Sequence, residues 1–423
     1  MDIKIQEFKK LICSPVIIGL TVLFILFNIF SMSASSYLKE DLKIINKVIS
    51  EFGYEINDEM ISEMNDKYKN SLKELNKITK EKVNKIYSSI EEFAGSKEYQ
   101  SNNYEGGVFT KEELEFFNKV NLLYTYSNLS VDLIKAYEDI DINEIAKNTI
   151  SSHDLSGQAA EISSKNYDKL AERFEEIKEN EEHKNLFFFG INYRMHSLLF
   201  KETLMKCIFE IIILVVLMTA YLINFEFDNK TNLLVYSTKR GRKNMKDKFV
   251  ICVASSIGVS VIILGVTLLA YFINFDYSEV LNVPITSAFN WEYKLPYISL
   301  FDHTVLERLL LSILIVIICA VIFTTIAFII CALIKNSYLV IFIFFILFGI
   351  NLLIPQAISN SSALLIYSQY NVFQLIINSH MWFMDMGPFM LRNYEVITIA
   401  TNATVVSLLA FLTMKKFKRE DIN

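Results

Sequence analysis

Six long apolar runs constrain this 423-residue chain more than any other feature of its sequence. A helix needs about 20 apolar residues to cross the roughly 30 Å hydrocarbon core of a bilayer, and each run reaches or nearly reaches that length. Strands of a membrane barrel would instead alternate over segments of about 10 residues. The chain also has only 5 Pro and 12 Gly, which favours helices. The sequence therefore predicts an all-α integral membrane protein with six transmembrane helices, at about 11–31, 204–225, 249–273, 309–334, 338–355 and 396–414.

Basic residues are distributed unevenly among the segments that connect these runs. Lys and Arg cluster in the N-terminal segment, in the 226–248 loop, at Lys335 and in the C-terminal tail, whereas 274–308 and 356–395 hold few of them. Short cytoplasmic loops of membrane proteins are enriched in Lys and Arg. With six crossings, every basic segment falls on one side. We therefore expect a multi-pass protein of the cell membrane with both termini in the cytoplasm.

The long segment between the first two runs, 32–203, must then lie outside the cell. Its apolar residues recur at spacings of three and four from Leu38 to Phe52 and again from Ile61 to Phe93, which is typical of helices with one narrow apolar stripe. The stretch 94–107 predicts a loop, and "TKEE" from Thr110 predicts the start of another helix.

A last helix is expected at about 160–182 in this segment. All five cysteines lie within or beside the membrane runs, so the segment contains no disulfide. These patterns predict an extracellular antiparallel helical bundle. The chain then divides into an N-terminal interfacial helix with the first transmembrane helix (1–31), the extracellular domain (32–203) and a five-helix membrane region (204–423).

Sequence motifs of common enzymes are absent. The chain has no G-x-x-x-x-G-K-[ST] phosphate-binding loop and no G-x-S-x-G nucleophile motif. His153, His183 and His196 do not have the spacing of metal ligands. We therefore predict a protein that is not an enzyme, with no metal or cofactor of its own and no nucleic-acid partner.

The 226–248 loop combines many basic residues with an apolar segment. Within it, "FEFDNKTNLLVYS" predicts a short helix parallel to the membrane, and Asp228 near its start suits the positive end of the helix dipole. Gly241 is expected to break the helix that precedes it. The apolar face would dock a soluble subunit; alternatively, it would rest on lipid headgroups.

The residue order of this loop resembles that of permease subunits of ATP-binding-cassette (ABC) exporters with six transmembrane helices, the ABC type 2 class. Lys230 stands where that family usually has glycine, and the family's proline near Thr238 is missing. The order of an interfacial helix, one span, a large outer domain and five spans is also similar. The positions that match the family pattern are Glu226, Thr231, Leu233, Leu234, Ser237, Arg242 and Lys248.

The resemblance implies that the 226–248 loop, including Asp228, is a cytoplasmic coupling element. It would receive motion from a separate ABC ATPase subunit, which binds ATP and Mg²⁺ in place of this chain. Two permease copies, identical or different, would assemble in the lipid bilayer with two ATPase subunits.

Five residues are candidates for a translocation path or an outer gate. Glu210 lies about two turns from the outer end of the second span, where it would pair with Arg308, line a substrate path or reach outer water. The resemblance implies that the outer segment 356–394 forms re-entrant short helices, which would place Trp382, Phe383 and Asp385 at the outer gate. Interfacial anchoring of this aromatic segment is the alternative.

These observations predict the permease of an ABC exporter that moves a peptide or another amphiphile out of the cell. One alternative is a membrane sensor or anchor that does not transport and whose extracellular bundle binds a ligand or partner. Another is a sodium efflux permease, for which several buried carboxylates would be expected.

Overall fold

The helical fold begins with two helices separated by a break at Cys13 and Ser14. The computed structural model describes residues 3–101, 107–186, 188, 194–238, 241–290, 297–384, 387–389 and 392–419. Within these ranges the chain forms helices and isolated bridges but no strand. Helix α1 spans Ile3–Ile12 and α2 spans Pro15–Ala34. Proline has no N–H and suits the first position of a helix, which explains the break inside the first predicted run.

The described residues between α2 and Asn180 form seven α-helices. They are α3 (Lys39–Phe52), α4 (Asp58–Val83), α5 (Ile90–Ala94), α6 (Lys97–Gln100), α7 (Lys111–Glu138), α8 (Ile142–Ser152) and α9 (Gly157–Glu179). The helix predicted to start at Thr110 is confirmed, and Thr110 and Glu113 form a capping box. The predicted last helix is confirmed as α9.

The helical pattern predicted from Ile61 to Phe93 is interrupted. Helix α4 ends at Val83 because Asn84 adopts a left-handed conformation, with φ of 53°. The predicted loop at 94–107 contains the short helix α6, and residues 102–106 lie outside the described part of the chain. The regular spacing of the apolar residues therefore did not predict the turn at Asn84.

Two clusters of buried side chains join α4, α5, α7, α8 and α9. In the first, between α4, α5 and α7, the rings of Phe93, Phe109 and Phe117 meet edge to face at centroid distances of 4.7–5.6 Å. In the second, between α7, α8 and α9, Tyr137 and Phe174 pack with Ala288 and other residues of the membrane region. The α3–α9 region therefore packs directly against the rest of the protein.

The remaining chain contains nine described α-helices. They are α10 (Arg194–Ser197), α11 (Leu204–Asp228), α12 (Asn232–Tyr236), α13 (Gly241–Asn274), α14 (Val305–Leu333), α15 (Ser337–Leu353), α16 (Ala363–Ser368), α17 (Val372–Leu375) and α18 (Tyr394–Phe417). A π-helical turn, Leu198–Thr203, makes α10 and α11 continuous.

Six helical segments are long and apolar enough to span a membrane, as predicted. Each overlaps one of the predicted runs. The six segments are Pro15–Ala34, Leu198–Asp228, Lys243–Asn274, Val305–Leu333, Ser337–Ala357 and Tyr394–Phe417. The second is the most buried and contacts α2, α13, α14 and α15, whereas the first, fifth and sixth expose most of their apolar side chains.

The segments between the spanning helices gather at two opposite ends. At the first, which we call the α12 end, Lys10 contacts Glu226, Lys335 lies over the ring of Phe227, and Tyr236 packs on Phe417. Described parts of all four basic segments therefore meet at one end, as the charge pattern predicts. That this end faces the cytoplasm stays a prediction.

At the other end, which we call the α16 end, α9 lies against the segment that joins α15 to α18. Ser156 N donates to Asn360 O at 3.1 Å, and Ser163 Oγ donates to Pro388 O at 2.8 Å. Arg173 Nε donates to Ser299 O at 3.2 Å. These bonds attach α9 to two connections between spanning helices.

Candidate functional site

The loop after α11 forms a short projecting helix. Helix α11 ends at Asp228, and Thr231 N donates to Glu226 O at 2.8 Å to close the turn. Lys230 in this turn has φ of 58°, in the left-handed region that favours glycine. This is the position where the family of the resemblance usually has glycine. Helix α12 (Asn232–Tyr236) follows, so the predicted short helix is confirmed over this shorter range.

Helix α12 turns its two leucines away from the protein. Leu233 is 61% exposed and Leu234 is 75% exposed, and Ser237 and Thr231 are exposed as well. Isolated exposed leucines are common, but two neighbouring ones on a projecting helix form a small apolar knob. The site residues predicted at 231–237 therefore lie on an accessible surface.

Tyr236 anchors the opposite side of α12. Its ring stacks on Phe227 at 5.5 Å and meets Phe417 edge to face at 5.6 Å. Burial, and then the nearby Glu226 carboxylate, raise the pKa of the Tyr236 phenol, which stays protonated at neutral pH. The knob is thus fixed to the ends of α11 and α18.

Gly241 begins α13 where this helix passes directly beneath α12. A Cβ atom at this position would lie 2.2 Å from Val235 O and 2.6 Å from Tyr236 Cα. Gly241 N donates to Thr238 O at 2.9 Å. The predicted helix breaker instead starts a helix, and its lack of a side chain permits close approach of two backbones.

A buried ion pair lies at the base of the knob. Lys248 Nζ contacts Glu226 Oε2 and also donates to Leu222 O at 2.7 Å. Both charged side chains are buried, with 3% or less of their surface exposed. Two residues that the resemblance assigned to coupling therefore contact each other, and they fix the start of α13 to the end of α11. A buried cation of this kind requires its carboxylate partner.

Helix α1 adds two more charges to this pair. Lys10 Nζ lies 3.3 Å from Glu226 Oε1 and 2.9 Å from Glu7 Oε2. Glu7 Oε1 also accepts a hydrogen bond from Asn244 Nδ2 at 3.3 Å. The four charges Glu7, Lys10, Glu226 and Lys248, which we call the base network, join α1, α11 and α13.

Two other predicted coupling residues lie apart from the base network. Asp228 accepts hydrogen bonds from Ser337 Oγ and, at 3.4 Å, from Ser337 N, so it caps the start of α15. The backbone of Arg242 lies in α13, but its side chain lies outside what the structure describes. The sequence reading missed Glu7 and Lys10. The sequence did contain a pattern that could have identified Glu7. It lies four residues before Leu11, which places both residues on the same, buried face of α1.

Glu210 contacts a different partner from the one considered in the sequence. Its Oε2 accepts a hydrogen bond from Asn28 Nδ2 at 2.8 Å, and the same Asn28 group lies 3.1 Å from Thr267 Oγ1. Asn28, which the sequence analysis missed, links α2 to α11 and α13. Glu210 also lines an apolar groove of about 660 Å³ between α2 and α11. Pairing of Glu210 with Arg308, one of the three possibilities raised by the sequence, is therefore wrong.

Arg308 is buried at the α16 end, where its charge also interacts with the buried carboxylate of Glu395. Its Nη2 donates to His380 O, and its Nη1 lies 3.2 Å from His196 Nε2 and 2.7 Å from Met384 Sδ. The guanidinium also lies over the ring of Phe200, 4.7 Å from its centroid. Arg308 on α14 thus fastens the segment after α17 to α10 and to the π-helical turn that precedes α11.

The predicted gate residues lie beside this arginine. Trp382 is buried and donates from Nε1 to Leu375 O at 2.9 Å. Phe383 has φ of 64°, which is strained for a bulky residue. Its N–H donates to Glu395 Oε1 at 2.6 Å and its carbonyl accepts from Leu300 N at 3.0 Å, which holds this conformation. Asp385 lies outside the described residues.

Comparisons with known proteins identify no relative. No family model, no curated protein and no solved structure matches this chain. The assignment of a function therefore rests on the residues and contacts described above.

Proposed function

We propose that this chain is the membrane-spanning permease subunit of an ABC exporter. A separate ATPase subunit would bind at the α12 end and drive the export of a peptide or another amphiphile. The observation that carries the proposal is the pair of exposed leucines, Leu233 and Leu234, on a short helix that a buried ion pair fixes to two spanning helices.

The base network supplies what force transmission requires. A push on α12 reaches α11 and α13 directly, because Glu226 and Lys248 join the two helices at the root of the loop. Lys10 extends the connection to α1. Rigid packed elements with such contacts move together, whereas a flexible basic loop resting on lipid would not transmit a displacement.

The turn at Lys230 also supports the proposal. A left-handed residue at this position explains why glycine is usual in the family that the loop resembles. This chain therefore has lysine instead of glycine at position 230, but the residue keeps the left-handed backbone conformation that glycine favours.

A sensor or anchor that does not transport is the second candidate function. The observation that favours it is the attachment of α9 to the α15–α18 connection, through Ser156, Asn360, Ser163 and Pro388. A ligand bound to the α3–α9 region would act on the membrane region through these contacts. In that case the α12 end would hold a cytosolic partner other than an ATPase.

The test is purification of the full chain from its native cells in detergent, with quantification of bound proteins. We expect a soluble ATPase with a phosphate-binding loop to co-purify. Changing both Leu233→Ser and Leu234→Ser should lower its recovery at least about tenfold, because the apolar contact is lost. Ile86→Ser is the matched control, since Ile86 is an equally exposed aliphatic residue in the α3–α9 region.

Two outcomes would overturn the exporter proposal. One is that no such ATPase is recovered with the unaltered chain. The other is that its recovery is the same with the leucine double variant and with Ile86→Ser. Recovery of a different cytosolic protein that depends on Leu233 and Leu234 would favour the sensor or anchor instead.

A further inference from the structure

His183 is fully buried where the α3–α9 region meets the rest of the protein. It lies four residues after Glu179, the last residue of α9. Its exposed fraction is 0%, and its ring stacks on that of Tyr137 on α7, with the centroids 5.1 Å apart and the planes inclined by 6°. A titratable side chain is therefore enclosed at the boundary between two parts of the molecule.

Both ring nitrogens of His183 face hydrogen-bond acceptors. Nε2 lies 3.0 Å from Glu138 Oε1 on α7, and Nδ1 lies 3.4 Å from Ile177 O in the last turn of α9. A carbonyl oxygen and an ionised carboxylate can only accept hydrogen bonds. A neutral imidazole has one N–H and donates to one of them, whereas an imidazolium donates to both. The two contacts therefore favour the protonated form of His183.

The end of α9 adds to this preference. Glu181 has φ of 58°, and Glu182 N donates to Ile177 O at 3.1 Å, which is typical of a helix that ends in a left-handed turn. The last carbonyls of a helix carry a partial negative charge that stabilises a nearby cation. Because His183 Nδ1 lies on one of these carbonyls, the helix end also favours the imidazolium.

The titratable neighbours of the ring come from α7 and from α9 with the turn that follows it. They are Tyr137, Glu138, Arg173, Glu181 and Glu182. Arg173 pairs with Glu182, and Glu181 pairs with Lys184 at 2.5 Å. Asp302 interacts with Arg173 and Glu182, and residues 286–290 contain no titratable group. Glu138 is therefore the carboxylate that compensates a charge on His183 most directly.

Residues 183–186, which we call the junction segment, join the α3–α9 region to the connection between α13 and α14. On the side of the α3–α9 region, Leu186 N donates to Tyr54 O at 2.6 Å. On the other side, Ala288 N donates to His183 O at 2.9 Å. The position of His183 thus determines how closely the two parts of the protein are held.

We propose that His183 is a pH-dependent fastener of this junction. As an imidazolium it donates to both α7 and α9, and it holds the junction segment in place against Ala288. When the pH rises through the neutral range, in which imidazoles titrate, the ring loses a proton and one of its two hydrogen bonds. The junction is therefore firm in acid and looser in alkali.

This inference does not depend on the exporter proposal, because the junction is remote from α12 and needs no ATPase. The segment 32–203 is predicted to lie outside the cell. The pH that acts on His183 would then be that of the exterior, and it would change how firmly the α3–α9 region is attached to the membrane region.

The test measures hydrogen exchange of the Ala288 amide by mass spectrometry of the full chain in detergent, in a series from about pH 5.5 to about pH 8.5. Rates are corrected for the intrinsic pH dependence of amide exchange. We expect corrected exchange of peptides that contain Ala288 to be about tenfold faster at the upper end of the series. Peptides around Val120, in the cluster between α4, α5 and α7, should show no such change.

Three variants isolate the imidazole. His183→Gln cannot titrate, so the difference between the two ends of the series should disappear. His153→Gln is the matched control, since His153 is an exposed histidine after α8 whose Nδ1 lies 2.9 Å from Thr149 O, and it should behave like the unaltered chain. Glu138→Gln removes the compensating carboxylate from a half-exposed position and should lower the pH at which protection is lost.

Nitrogen NMR of the histidine-labelled chain, which has 5 histidines, gives a second readout. At about pH 5.5 we expect an imidazolium signal that is missing from His183→Gln. The proposal is overturned if that signal is that of a neutral imidazole, if corrected exchange at Ala288 is the same at both ends of the series, or if His183→Gln retains the difference. Should His183→Gln not fold, an unchanged transition in Glu138→Gln overturns the proposal instead.

Discussion

Each end of the membrane region buries a cation of a spanning helix, Lys248 on α13 and Arg308 on α14, and the two cations are satisfied in different ways. At the α12 end, Lys248 contacts the buried carboxylate of Glu226. At the α16 end, the direct contacts of Arg308 include the His380 carbonyl and the ring of Phe200, and the buried carboxylate of Glu395 interacts with it electrostatically without a direct ion pair among the described residues. A guanidinium tolerates such partners because its charge is delocalised and weakly hydrated, whereas an ammonium is compact and strongly hydrated.

The two ends also differ in what covers them. At the α16 end, α9 packs on one side of α16 and on the connection that precedes it, while Leu364 and Tyr367 on α16 are exposed. The α12 end instead presents Leu233 and Leu234 outward, above the base network. Both ends therefore expose apolar side chains, but α16 also packs against α9, whereas α12 is held through Tyr236 on the ends of α11 and α18.

The largest difference between the two ends is expected in the stability lost when Lys248 or Arg308 is replaced by methionine. Lys248→Met leaves Glu226 buried with Lys10 as its remaining ion-pair partner, and we expect a loss of about 3–5 kcal/mol in the free energy of unfolding. Arg308→Met breaks no direct ion pair among the described residues, and we expect a smaller loss of about 1–3 kcal/mol. Unfolding of both variants in detergent, followed by circular dichroism, measures the difference.

A second substitution checks the cause of this loss. Adding Glu226→Gln to Lys248→Met removes the stranded charge and should recover part of the stability. Lys165→Met provides the baseline, because Lys165 is exposed and pairs only at the surface. Equal losses for Lys248→Met and Arg308→Met would show that charge compensation does not distinguish the two ends.

Gly241→Ala tests whether the close approach of α13 fixes the knob. The added Cβ would meet Val235 O at 2.2 Å, so α12 must shift, and we expect a loss of about 1–3 kcal/mol. The shift should also change the rate at which a cysteine at position 234 reacts with a soluble maleimide. Stability is read from thermal unfolding in detergent.

Gly265→Ala is the matched control within the same helix. A Cβ there has no atom from other parts of the protein within 4 Å, so the change should be neutral or stabilising by up to about 1 kcal/mol. If both variants unfold alike and label alike at position 234, the contact beneath α12 does not position the knob.

The periodic features of this protein could be predicted from its sequence. The six spanning helices follow from long apolar runs, and the start of α7 follows from the local capping pattern at Thr110. These signals are local, because length and capping depend on residues close in the chain. The end of α4 at Asn84 was missed because a left-handed turn can interrupt an apolar stripe without changing its spacing.

The contacts of the candidate site could be predicted only in part. Glu226 and Lys248 were selected through the resemblance, but nothing in the sequence indicated that they pair. The contact of Lys10 with Glu226 joins residues 216 positions apart, and that of Asn28 with Glu210 joins residues 182 positions apart. Such contacts depend on how helices pack, and hydrophobic periodicity carries no information on which polar groups then meet.

The smallest loss of stability is expected when an exposed ion pair is removed, in contrast to the loss expected for the buried base network. Glu51 is partly exposed and contacts both Lys67 and Lys119. Its burial alone would raise its pKa, but the hydrogen bonds from the two lysines outweigh that effect and lower the pKa. A carboxyl with a lowered folded-state pKa stabilises the protein above its unfolded pKa, and this contribution is lost as the pH falls through the folded-state pKa.

Glu51→Gln should therefore cost less than about 1 kcal/mol near pH 7, given the exposure of the pair. The difference between the variant and the unaltered chain should be smaller near about pH 3 than near pH 7, because the carboxyl becomes protonated first in the unfolded and then in the folded state, and it should shrink at high salt. Unfolding in urea at the two pH values measures it. A difference that persists in acid and in salt would mean that Glu51 acts through packing, and that exposed and buried charges in this protein do not differ as proposed.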